Sequence, residues 1–105
     1  MSNFSIAYSE SFRLSLRECI REWSEEYFFT DEKISTFIQS IHKSIELTAV
    51  FPKMHENVAS LYNFKVPTYR ILIGTNYAIF YRINEQEKKI LVGNIFHQKQ
   101  MHITF

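Results

Sequence analysis

Thr68-Tyr-Arg-Ile-Leu-Ile-Gly-Thr-Asn-Tyr-Ala-Ile-Phe-Tyr-Arg-Ile-Asn84, followed by Lys88-Lys-Ile-Leu-Val-Gly-Asn-Ile-Phe-His97, decides the fold of this chain. Isoleucine, valine and aromatic residues fill these runs, and residues of these kinds suit a pleated, half-buried surface. Gly74-Thr75-Asn76 and Asn84-Glu85-Gln86-Glu87-Lys88 interrupt them as hairpin loops. The reading is three antiparallel strands, roughly Phe64–Ile73, Tyr77–Asn84 and Lys89–His97. Pro67 cannot donate to a ladder and marks a bulge, a strand start or an edge. Side-chain alternation sets Arg70 beside Leu72 and Arg82 beside Phe80, opposite a face made by Tyr77, Ile79, Tyr81 and Ile83.

Upstream of the strands the period changes. Phe4, Ile6 and Tyr8 alternate and predict a short first strand. Phe12, Leu16, Cys19, Ile20, Trp23 and Tyr27 then recur at spacings of three and four, the apolar face of a helix that Ser9 or Ser11 can cap. Its outer side carries the like-charge column Arg13–Arg17–Arg21, relieved by Glu10–Arg13, Glu18–Arg21 and Arg21–Glu25 pairs. Thr30 fits the N-cap of a second helix, with Asp31 and Glu32 where the macrodipole favours negative charge. Ile34, Phe37, Ile38, Ile41 and Ile45 form its buried stripe, and Pro52 ends it near residue 50. Phe28-Phe29-Thr30 leaves room only for a tight helical hairpin. Residues 52–62 read as a loop with weak strand character near Val58–Leu61, and Met101, Ile103 and Phe105 alternate as a short terminal strand. The order β-α-α-β-β-β predicts a single α+β domain over residues 1–105, an antiparallel sheet of three to five strands with an N-terminal helical hairpin on one face.

Composition narrows the function classes. The chain has 105 residues, enough for one core, and its ten Phe, six Tyr and one Trp make that core aromatic. No apolar run reaches the roughly 18 residues of a membrane span, and no signal peptide is recognisable, so no membrane partner and a cytoplasmic location are expected. Cys19, the one cysteine, reads as a buried small hydrophobe. His42, His55, His97 and His102 lack metal-ligand spacing, and with Gly74 and Gly93 the only glycines there is no phosphate loop; no metal or cofactor is expected. The net charge of +1 hides a segregation: residues 1–52 carry −3 and residues 53–105 carry +4. An anionic partner should therefore meet the sheet-forming half.

The cations of that half have the chemistry for RNA cleavage through the 2′-hydroxyl. Histidine or lysine can move the protons, and arginine can clamp the phosphorane through its planar fork. Arg70, Arg82, His97, Lys99 and Lys65 have the right chemistry to act on RNA or to contact it, and Tyr69 or Tyr77 could stack a base.

The run Tyr69-Arg-Ile-Leu-Ile-Gly-Thr-Asn-Tyr77-Ala-Ile-Phe-Tyr81-Arg, continued to Phe96-His97-Gln-Lys99, resembles the C-terminal sheet of RelE/ParE-type toxins, and the upstream strand, helix pair and Phe51-Pro52 fit the same order. That resemblance implies the toxin of a type II toxin–antitoxin pair, plasmid-stabilisation type, neutralised by a cognate antitoxin. RelE-like members imply a metal-independent, ribosome-dependent mRNA interferase with ribosome and mRNA as partners, in which Arg70 holds a phosphate and His97 and Lys99 supply acid–base or clamping groups. ParE-like members imply a non-nuclease poison of DNA gyrase. An inactive domain that only binds an antitoxin is the third alternative. Ala78 stands where ribonucleolytic members often carry arginine, and Gln98-Lys99-Gln100-Met101 departs from their basic terminal motif.

Overall fold

The computed structural model describes residues 3–97 of the chain. Strand β1 (Ser5–Tyr8) leads into helix α1 (Glu10–Glu25) and helix α2 (Asp31–Val50). A two-residue strand β2 (Glu56–Asn57) and a one-turn helix α3 (Ala59–Tyr62) follow, then β3 (Tyr69–Ile73), β4 (Tyr77–Asn84) and β5 (Lys89–His97). The sheet order is β1-β5-β4-β3-β2. β2 to β5 pair antiparallel, and β1 adds to β5 in parallel. The architecture is the expected α+β one, with the first strand giving the sheet a mixed edge. The terminal strand expected at Met101, Ile103 and Phe105 lies outside the described residues.

The helix starts follow from their caps. Ser9 Oγ accepts from the Phe12 backbone N–H at 3.1 Å, and Thr30 Oγ1 accepts from that of Lys33 at 3.1 Å. Each satisfies a donor the first turn cannot pair internally. The surface ion pairs anticipated on α1 form: Arg13–Glu10 at 3.2 Å, Arg21–Glu18 at 2.6 Å and Arg21–Glu25 at 2.9 Å. Beyond α1 the chain turns back on the helix end, the Tyr27 N–H donating to the Glu22 carbonyl at 3.0 Å and the Phe29 N–H to the Trp23 carbonyl at 2.8 Å, with Phe28 at φ 54°.

One face of the sheet carries Tyr69, Ile71, Ile73, Tyr77, Ile79, Tyr81, Ile90, Val92 and Ile95 against Phe12, Trp23, Ile34, Ile41 and Ile45 of the helices. Trp23 Nε1 donates to the Tyr77 hydroxyl at 2.9 Å inside this core, and the Tyr81 hydroxyl donates to the Pro52 carbonyl at 2.6 Å. The opposite, outer face has a smaller cluster of Val58, Ala78, Phe80 and Phe96, with Tyr62 packed on it. The stretch read as a loop with weak strand character instead holds β2 and α3. Asn57 Oδ1 accepts from the Ala59 N–H at 3.0 Å to start the turn of helix, and Asn63 at φ 58° ends it. β3 starts at Tyr69, two residues after Pro67, and not at Phe64.

One irregularity controls the far end of the sheet. Tyr81 pairs with Val92 but Ile79 pairs with Ile95, so Phe80 faces both Gly93 and Asn94. This extra residue is a β-bulge, and it shifts the alternation of β5 by one position beyond it. Ile90 and Val92 face the helices before the bulge; Ile95 and His97 face them after it.

Candidate functional site: an arginine and aromatic patch on the outer face

Arg70 leaves β3 on the outer face, level with Phe80. Its Nη1 donates to the Tyr62 hydroxyl at 3.1 Å and its Nη2 meets Glu56 Oε1 at 3.1 Å. The guanidinium is thus held by β2 on one side and α3 on the other, and its side chain is 24% exposed. Arg82 leaves β4 on the same face. Its Nε donates to Thr68 Oγ1 at 3.0 Å, and its guanidinium carbon lies 5.4 Å from the Phe64 ring centre. Thr68 itself is fully buried and donates to the Val66 carbonyl at 3.1 Å. Between the arginines, Phe64, Tyr62 and Phe96 surround Phe80 at ring-centre distances of 5.0–5.8 Å. The result is a cationic rim on an aromatic floor, with Leu61, Leu72 and Leu91 exposed among it. Lys65 stands exposed in the approach to β3.

The other expected site residues are not on this patch. His97 pairs across the sheet with Tyr77, and their rings meet edge to face at 5.2 Å on the helix side. The bulge is the reason: without it, His97 would share a face with Leu91 and Arg82. The structure therefore does not bring Arg70 and His97 together; they stand on opposite faces and two strands apart. Tyr77 is corrected too. It is 7% exposed, packed against Trp23, Phe37 and His97, which leaves its ring no open face for a base. Lys99 lies outside the described residues. Tyr62, Glu56 and Thr68, which hold the arginines, were missed. The usable signal was Asn57 and Asn63, a cap and a left-handed stop bracketing one helical turn that brings Tyr62 over Phe80.

Electrostatics separates reactive from structural groups. Burial pushes the Cys19 thiol up to about 12, with Glu22 and Glu18 adding to it, so it is protonated at neutral pH and no nucleophile. Burial also raises the Tyr81 phenol, and it raises that of Tyr77 against the opposing hydrogen bond from Trp23. His55 packs edge to face on Tyr81 at 6.0 Å, and burial lowers its pKa. No group of three or more His, Cys, Asp or Glu able to hold a metal exists among the described residues. None of the described helices is long and apolar enough to cross a membrane.

Comparison with known proteins places the chain in a family. Residues 6–102 match the model of the ParE toxin of type II toxin–antitoxin systems, parDE. The chain belongs to that toxin family. No curated protein matches the sequence. Among solved structures, the toxin–antitoxin complex RelBE2 from Mycobacterium tuberculosis is similar, with a TM-score of 0.53 at 11% identity, covering 90% of this chain and 98% of that one. At that identity the likeness shows the fold, and it ties the ParE family member to the RelE-like β-α-α-β-β-β arrangement.

Proposed function

We propose that this toxin arrests growth by gripping DNA gyrase as a protein partner, without cutting RNA, and that a cognate antitoxin covers it until it is released. The observation that carries this reading is the separation of His97 from Arg70 across the sheet. Cleavage through the 2′-hydroxyl needs a proton carrier free to serve the phosphate clamp; His97, the expected one, faces the helices while Arg70 and Arg82 face outward, and the Glu56 and Tyr62 groups that do reach Arg70 are engaged in holding its guanidinium. What those arginines border is an aromatic floor with exposed leucines, a surface of the kind that anchors protein partners. The match to the ParE family supports the same reading. An antitoxin is supported by that family and by the toxin–antitoxin complex of similar fold; an acidic amphipathic segment would suit the +4 half of the chain.

Ribosome-dependent mRNA cleavage is the second reading, favoured by Arg70, Arg82 and Lys65 lying on the basic half of the chain. Induction in cells separates the two. An SOS response with intact message, together with inhibition of purified gyrase supercoiling, is expected. Halted protein synthesis with cleaved ribosome-bound message would replace the gyrase reading with the nuclease one. Loss of neither function, with retained antitoxin binding, would leave an inactive antitoxin-binding domain.

A further inference from the structure

Between α1 and α2 the chain runs Tyr27-Phe28-Phe29, three aromatics at the tip of the hairpin. Phe28 is 83% exposed and sits at φ 54°, the left-handed region. A residue in that conformation is normally glycine or asparagine, since a Cβ there is unfavourable. A phenylalanine at this place costs twice: in backbone strain, and in apolar surface left in water. Tyr27 beside it is 51% exposed, and its ring stacks on Phe29 with centres 5.8 Å apart. Lys33 Nζ covers the Phe29 ring at 3.9 Å, so the third aromatic is braced while the first two project. Below them a cleft of about 570 Å³ opens against the β3–β4 turn, with Gly74, Thr75, Asn76 and His97 in its wall. Local folding gives no reason for Phe28; glycine would close the same turn with less strain.

We propose that the hairpin tip is a docking surface in which Phe28 is the anchor, and that its occupant is a basic protein surface, that of the cellular target and not of the antitoxin. Charge selects the occupant. Residues 18–33 carry six Asp/Glu against two Lys/Arg, a local net charge of −4 in a chain that is +1 overall. An exposed aromatic inside an acidic collar repels nucleic acid and an acidic antitoxin segment, and attracts a positively charged protein surface with an apolar recess. The arginine patch lies on the outer face of the sheet, away from the helical hairpin, so the tip is a second contact with the target beside the patch, and an antitoxin seated on the patch displaces the target without touching the tip. The inference deepens the gyrase reading and rests on it for the target's name, but not for the role of the tip.

The test compares wild type with Phe28→Gly, Phe28→Leu and the double substitution Glu25→Lys/Glu26→Lys. Because glycine relieves the strain, Phe28→Gly should melt at or above the wild-type temperature, which removes misfolding as an explanation. Its growth arrest should fall on the order of tenfold or more in the induction needed, the loss typical of an interface anchor. Phe28→Leu should restore part of it, the charge reversal should weaken it, and antitoxin neutralisation and binding should stay intact. If Phe28→Gly lifts the arrest while wild type leaves gyrase supercoiling untouched, the gyrase reading falls and the docking role stands. Undiminished arrest by Phe28→Gly overturns the proposal, as does a wild type that fails to arrest growth. Loss of antitoxin binding by Phe28→Gly also overturns it, because the tip would then belong to the inhibitor. So does a wild-type dimer that Phe28→Gly dissociates in sedimentation, because the occupant would then be a second copy.

Discussion

Trp23 and Tyr77 show how a single contact can mislead a reading of exposed chemistry. The tyrosine sits where a strand opens, and in sequence it has the profile of a stacking residue. In the fold its hydroxyl is the acceptor for a buried indole N–H, so the ring is fixed inside the core. Tyr77→Phe removes that acceptor and leaves the indole unpaired; it should cost about 1 kcal/mol or somewhat more, read from urea unfolding. His55 supplies a pH dependence. Burial holds its pKa below the ordinary 6.5, so the unfolded chain binds the proton more readily. The associated stability is therefore present above about pH 6.5 and is lost as pH falls from there through the lower native value. Urea midpoints on either side of that value should show the decline, and His55→Gln should flatten this part of the profile.

Among the elements, those with a local signature were legible. Thr30 announced the start of α2, the Ser9/Ser11 pair that of α1 with the structure choosing Ser9, Pro52 the stop, and alternating isoleucines the inward face of β4. The features that escaped are non-local. β2 is two residues long and exists because β3 offers it an edge. The β5 bulge is decided by pairing with β4, since neither Gly93 nor Asn94 reveals by itself which residue will be extra. The candidate site was lost at that same point: Arg70 and Arg82 were placed on the correct face, whereas His97 was moved to the other by one unpaired position. Deleting Asn94 tests this directly. Gly93 would then stand alone opposite Phe80, with Ile95 still opposite Ile79 and His97 still opposite Tyr77, so the core face is kept and only the bulge is lost. Chemical denaturation should show little change; a loss of roughly 2–3 kcal/mol, that of turning a buried isoleucine out, would mean that the register slips instead.

Over the whole molecule, polarity is divided in two ways: acidic hairpin against basic sheet, and helix-covered face against open face. Arg70 and His97 belong to different faces and share no described partner. Their alanine substitutions should therefore add in thermal stability to within about 0.5 kcal/mol, as a double-mutant cycle would report; a coupling well above that would mean the two groups act together after all. The sheet order has a further consequence. β5 lies between β1 and β4, so Ser5 waits for Lys89 and Tyr8 for Val92 before either is paired. A nascent chain emerging from the exit tunnel has its helices long before it has a sheet, because the strand that joins the two parts is the last of the five to be made. Contacts so distant along the chain slow folding. The protein thus stays unassembled, and by the same token unarmed, until translation has passed residue 97, an interval during which a partner can reach it first.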